Sequence, residues 1–268
     1  MRVENGHSKN KPNIRKFAEN DMADGFNSDG LDCESGGQKK TVKVGTRGSK
    51  LALAQTELVI KALNERFPQI DFQMVTMSTR GDRDTSRALL EFGGKAVFVE
   101  EFEEAILKGD IDIAVHSAKD MPMEIMEGLT ISGTLPRACP QDVLIYKSGR
   151  IFDRNEGFVV GTSSLRRQYQ IRDMYPNAVC KNLRGNVGTR IQKLEDGEYD
   201  AIILAAAGLE RLGVIEDKGN DSTECFEVYK DELTFRYIST ESMLPAACQG
   251  IIAIETRTLA RYTTWSER

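Results

Sequence analysis

The sequence is poor in the residue types on which several large classes of protein depend. Only two of its 268 residues are histidines, so chemistry that needs several imidazoles is nearly excluded. The five cysteines are odd in number, are scattered and form no C-x-x-C pair, which predicts neither a disulfide framework nor a zinc site. Thiols of a cytoplasmic protein fit this usage better, and no metal site is expected. The cysteines are Cys33, Cys139, Cys180, Cys225 and Cys248.

Long apolar runs and an excess of basic residues are also missing. No stretch approaches the ~18 apolar residues of a membrane-spanning helix, so no membrane association is expected. Lys and Arg number 36 against 41 Asp and Glu, a net charge of −5, which argues against binding nucleic acid through overall charge. What the chain does have is 40% hydrophobic residues, enough for a sizeable core, and a length that suggests two domains.

Residues 1–40 show no apolar periodicity and are rich in Asn, Gly, Ser and Asp, which predicts a disordered leader. The leader has no apolar core typical of a secretory signal, and its acidic residues argue against a transit peptide. From Thr41 onward, short apolar strands alternate with amphipathic helices, which indicates an α/β fold with mainly parallel pairing. Residues 138–142 are a candidate crossing between two domains, and the long polar segment 214–243 is interpreted as an insertion outside the core.

Two motifs in the first half of the chain place polar groups where a strand ends. Gly45-Thr46-Arg47-Gly48-Ser49 offers free backbone N–H groups and a guanidinium to an anion, although a helix cap with a solvated arginine explains it equally well. His116-Ser117-Ala118-Lys119-Asp120-Met121-Pro122 follows a buried apolar strand, where α/β folds place ligand groups. A carboxylate held ionised by a neighbouring lysine can balance a developing cation. A surface Lys–Asp pair in a turn is the alternative.

Two further motifs in the second half have the same form. Gly161-Thr162-Ser163-Ser164-Leu165-Arg166-Arg167 gathers hydroxyls and amides at a helix start, followed by two arginines. A serine nucleophile is not favoured there, since no Gly-x-Ser-x-Gly elbow is present. Leu183-Arg184-Gly185-Asn186-Val187-Gly188-Thr189-Arg190 sets a glycine turn between two arginines and lacks the Walker pattern of nucleotide sites. Together with the Gly93-Gly94-Lys95 loop, these junctions predict a cleft for a multiply charged anion, with Asp120 as the one carboxylate.

At these residues the sequence resembles the porphobilinogen deaminase, or hydroxymethylbilane synthase, family. The matching stretches run in order from Val42 to Arg257, about four-fifths of the chain. They are VGTRGSKLALAQT, STRGDRD, GGKAVFVEEFEEAI, DIAVHSAKDMP, VVGTSSLRRQYQI, LRGNVGTRIQKLEDGEYDAIILAAAGLERLG and LPAACQGIIAIETR.

The resemblance implies a transferase of haem and tetrapyrrole biosynthesis that joins four porphobilinogen molecules with loss of ammonia, primed by a dipyrromethane cofactor bound to a cysteine. It also implies two lobes like those of type II periplasmic binding proteins, with mixed, mainly parallel sheets, flanking helices and a cleft between them. Lobe 1 would comprise residues 41–138 and 248–268, and lobe 2 residues 139–247. A cytoplasmic monomer is expected.

The resemblance also assigns roles to residues that match the family's motifs. Asp120, with Lys119, would be catalytic by stabilising positive charge on the pyrrole nitrogens. Phe98 and Gln249 would lie in the substrate pocket. The residues expected to bind the carboxylates of cofactor and substrate are Arg47, Ser49, Lys95, Ser117, Thr162, Ser163, Ser164, Arg166, Arg167, Arg184 and Arg190.

The sequence departs from the family's pattern in several places. The family's Gly-Gln-Gly hinge is Cys248-Gln249-Gly250 here, Glu91 stands where the family has a second lysine, and segment 214–243 is longer. The family's third domain, whose Gly-Gly-Cys loop carries the cofactor, is expected to be absent, and no attachment cysteine is identified. Two alternatives therefore stay open: a homologue that only binds anions between its two lobes, and an ordinary solute-binding protein of the same fold.

Overall fold

The computed structural model describes residues 40–78, 99–216 and 225–258. No helix in these ranges is long and apolar enough to cross a membrane. In chain order the elements are β1 (Lys40–Arg47), α1 (Lys50–Arg66), β2 (Ile70–Met77), α2 (Glu100–Lys108), β3 (Ile113–Ser117), a 3-10 helix (Ala118–Asp120), β4 (Leu129–Thr134), β5 (Asp142–Lys147), β6 (Val159–Gly161), α3 (Leu165–Met174), β7 (Val179–Lys181), α4 (Val187–Glu195), β8 (Ala201–Ala205), α5 (Ala206–Arg211), β9 (Phe226–Lys230), β10 (Leu233–Tyr237) and β11 (Ile252–Arg257).

These strands form two sheets that share no strand within the described ranges. The first has the order β2-β1-β3-β11-β4, with β1 parallel to both β2 and β3 and with β11 antiparallel to its two neighbours. The second has the order β7-β6-β8-β5-β10-β9, with β6 parallel to both β7 and β8 and the remaining pairs antiparallel. The chain thus leaves the first sheet after β4 and returns to it as β11.

The α/β class with two mixed sheets and flanking helices is as predicted, but mainly parallel pairing is not. Within the described ranges, antiparallel pairs number five (β3–β11, β4–β11, β5–β8, β5–β10 and β9–β10) against four parallel ones. Parallel neighbours need a crossover connection, usually a helix, whereas β9 and β10 are joined by a tight turn and so must run antiparallel. The strand–helix alternation that was visible in the sequence belongs to the parallel halves of the two sheets.

The interpretation of segment 214–243 as an insertion outside the core is wrong for its described part. Residues 226–237 supply β9 and β10, and Leu233, Phe235 and Tyr237 belong to the main hydrophobic core of the second sheet. The Tyr237 ring stacks on Phe226, with 4.1 Å between their centres. The apolar residues alternate with Thr234 and Arg236 at the two-residue period of a strand, a signal that the polar composition of the whole segment obscured.

Two chain segments join the sheets and lie side by side. The first crossing (residues 135–141) leads from β4 to β5, and the second crossing (residues 238–251) leads from β10 to β11. The Ala138 N–H donates to the Gly250 carbonyl at 3.1 Å, and the Leu135 N–H donates to that of Ile252 at the same distance. These hydrogen bonds hold the two connecting segments against each other.

Candidate active site

The predicted motifs follow strands whose carboxyl ends carry loops. Arg47 ends β1 and Ser117 ends β3 in the first sheet, whereas the hydroxyl and arginine motifs follow β6 and β7 in the second. Loops at the carboxyl ends of parallel strands are the usual ligand-binding positions of α/β sheets. The four motifs thus occupy equivalent positions in the two sheets.

Side chains from the two sheets meet in one electrostatic cluster. Lys119, next to Asp120 in the 3-10 helix, interacts with Arg166, Arg167 and Asp142 of the second sheet. Arg190 interacts with Arg167 and Arg184 and, across the sheets, with Asp120. We call Lys119, Arg166, Arg167, Arg184 and Arg190 the cation cluster; Asp120 and Asp142 are the carboxylates that interact with it.

The environment of the cation cluster disfavours the positive charges that it holds. Burial lowers the pKa of the Lys119 ammonium, and Arg167 and Arg166 lower it further, against a partial opposing effect of Asp120 and Asp142. Burial likewise lowers the pKa of Arg190, and repulsion from Arg167 and Arg184 adds to this. Five cations facing two carboxylates are chemically suited to a ligand with several negative charges.

The Arg166–Arg167 pair is held by one buried carboxylate. Arg167 donates to Asp142 Oδ1 from Nε at 3.0 Å and from Nη2 at 2.7 Å, and Arg166 Nη1 lies 2.7 Å from Asp142 Oδ2. Arg167 also donates from Nη1 to the Ile203 carbonyl at 2.9 Å. Arg167 is therefore buried behind Arg166, whose side chain is partly exposed.

The hydroxyl groups before α3 form hydrogen bonds that fix the loop between β6 and α3. Thr162 Oγ1 accepts from the Ser164 N–H at 3.2 Å. The single proton of Ser163 Oγ is shared between the Leu183 carbonyl, at 2.7 Å, and Asn182 Oδ1. The Ser164 hydroxyl begins α3 without capping it. Ser163 thereby ties the loop after β6 to the loop after β7, and so sets the two arginine motifs side by side.

The first-sheet residues have comparable local roles. Ser49 caps α1 by accepting from the Ala52 N–H at 3.3 Å, one of the two roles left open for it. Gln55 of α1 donates from Nε2 to Ser117 Oγ at 3.0 Å, and both side chains lie next to the 3-10 helix that carries Lys119. Gln55 was not among the predicted residues. The sequence signal that could have found it is a glutamine on the inward face of an amphipathic helix, where a buried amide needs a hydrogen-bond partner.

Gln249 lies in the second crossing, where it is only 1% exposed. Its Nε2 donates to the Pro140 carbonyl at 2.7 Å and to Asp142 Oδ1 at 3.0 Å. The Arg137 guanidinium in turn donates from Nε to the Gln249 carbonyl at 2.8 Å. Gln249 thus joins the two crossings to the carboxylate that holds the arginine pair.

Two predicted residues, Lys95 and Phe98, lie outside the described residues, as does Glu91. Asp142, by contrast, was not predicted at all. Its signal was an acidic residue opening the apolar run Val143-Leu144-Ile145-Tyr146, a position that a carboxylate occupies only if it is paired. Within the described ranges, no group of three or more His, Cys, Asp or Glu side chains is arranged to hold a metal ion.

A family model described as porphobilinogen deaminase, dipyromethane cofactor binding domain, matches residues 42–264. The chain belongs to the porphobilinogen deaminase family. It is 44% identical over 220 residues to porphobilinogen deaminase of Streptococcus sanguinis, covering 81% of this chain and 68% of that one. It is also 44% identical over 219 residues to the Bacillus subtilis enzyme of the same name, covering 81% and 65%.

The chain therefore spans about two thirds of the length of the curated porphobilinogen deaminases that it matches. Among solved structures, it is similar to the effector-binding domain of BenM with benzoate, at 12% identity and a TM-score of 0.47, covering 85% of this chain and 87% of that one. It is also similar to the periplasmic VFT2 domain of Bordetella pertussis BvgS, at 16% identity and a TM-score of 0.45, covering 81% and 80%.

The donor set fits the cofactor for which the family's domain is named. A dipyrromethane with acetate and propionate groups is a polycarboxylate, and the cation cluster offers it more guanidinium and ammonium groups than its own carboxylates can pair. The four cysteines in the described ranges are thiols. Cys139 is buried and donates to Gln141 Oε1 at 3.5 Å, whereas Cys248 is exposed in the second crossing. Burial raises the pKa of the Cys180 thiol, which disfavours the nucleophilic thiolate.

Proposed function

We propose that this chain catalyses the hydroxymethylbilane synthase reaction of tetrapyrrole biosynthesis, in which four porphobilinogen molecules are joined with release of ammonia. The observation that carries the proposal is the position of Asp120 beside Lys119 and Arg190, in a cluster built from both sheets of a porphobilinogen deaminase fold. An exposed carboxylate such as Asp120 would weaken the binding of a simple anion, so a protein that only binds anions would not need it there, whereas the buried Asp142 pairs with the arginines.

The cation cluster would bind the acetate and propionate groups of substrate and growing chain. Arg166 is partly exposed and retains N–H groups beyond those bound to Asp142 and to the Leu244 carbonyl, so it can form a bidentate pair with a ligand carboxylate. Arg47, Ser49, Ser117, Arg184 and Arg190 complete the proposed binding set, together with Thr162, Ser163 and Ser164 and, outside the described ranges, Lys95 and Phe98. Gln249 would act from behind the pocket, since its side chain is buried.

Asp120 would act on the reacting pyrrole. When the protonated aminomethyl group leaves as ammonia, positive charge develops on the ring and is shared by its nitrogen. An exposed carboxylate that interacts electrostatically with Lys119 and Arg190 can accept a hydrogen bond from that N–H and stabilise the charge. Removing a preorganised charge partner of this kind costs roughly 3 kcal/mol in the barrier, or about a hundredfold in rate.

The dipyrromethane cofactor supplies the pyrrole end onto which the first substrate is joined. We propose that the carboxylates of the cofactor pair with Arg166, Arg184 and Arg190. Cys139, Cys180 and Cys248 are not proposed as attachment points. Cys139 is buried, Cys180 is half-buried against the core of the second sheet, and Cys248 has a left-handed backbone (φ 59°) in the second crossing.

The organisation proposed for the chain follows its two sheets. Lobe 1 would comprise residues 41–138 and 248–268, lobe 2 residues 139–247, and residues 1–40 a leader. The separate strand sets of the two sheets support this division. We further propose a cytoplasmic monomer that acts on a small molecule and binds neither nucleic acid nor membrane, in keeping with its thiols and net charge of −5.

The test uses the purified chain and porphobilinogen. Ammonia release and the porphyrin absorbance that develops after acid oxidation report turnover, and intact mass before and after incubation reports a bound dipyrromethane. We expect Asp120→Ala to lose turnover at least a hundredfold while keeping its melting temperature, and Asp173→Ala, an exposed aspartate on α3, to behave as wild type. Binding of porphobilinogen without any turnover would instead support the anion-binding alternative.

A further inference from the structure

Asp142 is a buried carboxylate that none of the sequence motifs includes. It opens β5, directly after the first crossing, and its side chain is fully buried. A charge in such a place is stable only when it is paired and hydrogen-bonded. Its partners therefore show what it does.

Those partners come from two different parts of the chain. Arg166 and Arg167 approach from α3, with three N···O distances of 2.7–3.0 Å, and Gln249 approaches from the second crossing at 3.0 Å. Burial alone would raise the pKa of Asp142, but Arg167, Arg166 and Gln249 together hold it below its usual range. The ionised Asp142 carboxylate thus links the arginine pair to the second crossing.

Helix geometry alone would not direct the side chains of Arg166 and Arg167 to the same ligand. Consecutive residues of an α-helix point about 100° apart, so Arg166 and Arg167 would diverge without a shared partner. Asp142 binds one arginine through each oxygen. Arg166 Nη1, which contacts Asp142, also donates to the Leu244 carbonyl, whereas Arg167 donates to the Ile203 carbonyl from Nη1, its one terminal nitrogen that does not bind Asp142. Both arginines interact electrostatically with Lys119.

We infer that Asp142 is a positioning residue, which fixes Arg166 and Arg167 for a polycarboxylate ligand and couples them through Gln249 to the second crossing. The inference rests on the proposed function, because that function supplies the polycarboxylate. It makes a prediction opposite to simple electrostatics. Removing a negative charge from the cation cluster should tighten anion binding if Asp142 acts only as a charge, but should weaken it if Asp142 acts by orienting the arginines.

The experiment measures binding of benzene-1,2,4,5-tetracarboxylate by calorimetry, because this probe carries as many carboxylates as a dipyrromethane with two acetates and two propionates. We expect Asp142→Asn to weaken binding at least tenfold. The matched control is Asp200→Asn, a partly exposed aspartate directly before β8 that accepts from the Val159 N–H at 2.7 Å and lies 3.6 Å from Arg150. The control should stay within twofold of wild type. Unchanged or tighter binding by Asp142→Asn would overturn the inference.

A second measurement tests the inference on the wild-type chain alone. It is needed if Asp142→Asn does not fold or if wild type does not bind the probe. Phenylglyoxal modifies accessible, unpaired guanidinium groups, and mass spectrometry gives the rate at each arginine. Arg166 should react at least fivefold more slowly than the exposed Arg154. Equal rates would show that Asp142 does not hold Arg166. A slow Arg166 in a chain that binds no tetracarboxylate would count against the proposed ligand and not against Asp142.

Discussion

Gly250 occupies the tightest point between the two crossings. Its φ of +90° is a conformation that residues with a side chain rarely adopt, and a Cβ there would lie 2.4 Å from the carbonyl oxygen of Ala138. Its own carbonyl accepts from the Ala138 N–H at 3.1 Å and from Arg211 Nη2 at 2.5 Å. Gly250→Ala should therefore separate the crossings as well as strain the backbone.

The cost can be estimated from these contacts. A left-handed conformation costs a non-glycine residue about 1–2 kcal/mol. Moving the backbone of residue 250 away from Ala138 weakens both hydrogen bonds to its carbonyl, the one from the Ala138 N–H and the one from Arg211, each contributing ~1 kcal/mol. Gly250→Ala should thus lower the free energy of unfolding by roughly 3–4 kcal/mol. For a chain of this size that is a fall of roughly 10 °C in the melting temperature.

Gly197→Ala separates the two contributions. Gly197 has a φ of +80°, but a Cβ there would meet no atom within 4 Å, so only the backbone strain remains. Thermal unfolding followed by circular dichroism should show a fall of roughly 4 °C for Gly197→Ala, well short of that for Gly250→Ala. Equal falls for both variants would refute the argument that the contact with Ala138 matters.

Three further predictions concern charge and capping. Lys119→Met should raise the melting temperature by a few degrees, because the fold lowers the pKa of this ammonium and so disfavours its charge. The same variant should weaken tetracarboxylate binding several-fold in calorimetry, because a cation is lost. A fall in both stability and binding would contradict this. The stability that Asp142 contributes is present above its unfolded pKa and is lost as the pH falls through its lower folded pKa. The melting temperature should therefore fall more steeply between about pH 4 and pH 2 for wild type than for Asp142→Asn. Parallel pH dependences of the two melting temperatures would exclude the effect. Asn186→Ala should cost ~1 kcal/mol in denaturant unfolding by removing the α4 cap on the Thr189 N–H, whereas Asn186→Asp should keep it; equal losses would argue against capping.

The parts of the fold that the sequence predicts best are those in which local chemistry decides the structure. Helix α4 (Val187–Glu195) is such a part, because Asn186 caps it and its apolar residues repeat at helical spacing. Strands β5, β10 and β11 were not predicted, since their pairing depends on residues far apart in sequence. Antiparallel β11, for example, is placed between β3 and β4 by contacts more than a hundred residues away.

The candidate site divides in the same way. Strand-end motifs predicted which loops carry the polar groups, because hydroxyl, glycine and arginine residues stand together in the sequence. They could not separate Arg166 from Arg167, although only Arg167 has its Nε and both terminal nitrogens bound inside the protein. That difference is created by Asp142, 24 and 25 residues earlier, whose pairing is visible only when β5 and α3 are packed together.

The positive charges of the cation cluster repel one another. The fold holds Lys119 and Arg190 at lowered pKa values, so the cation cluster opposes its own assembly until negative charge arrives. A polycarboxylate that relieves this repulsion binds the folded chain and not the unfolded one, and must therefore stabilise it. Lys119 belongs to the first sheet and the arginines to the second, so a ligand that pairs with all of them would contact both sheets. Behind these cations, Asp142 and Gln249 connect the arginine pair to the second crossing.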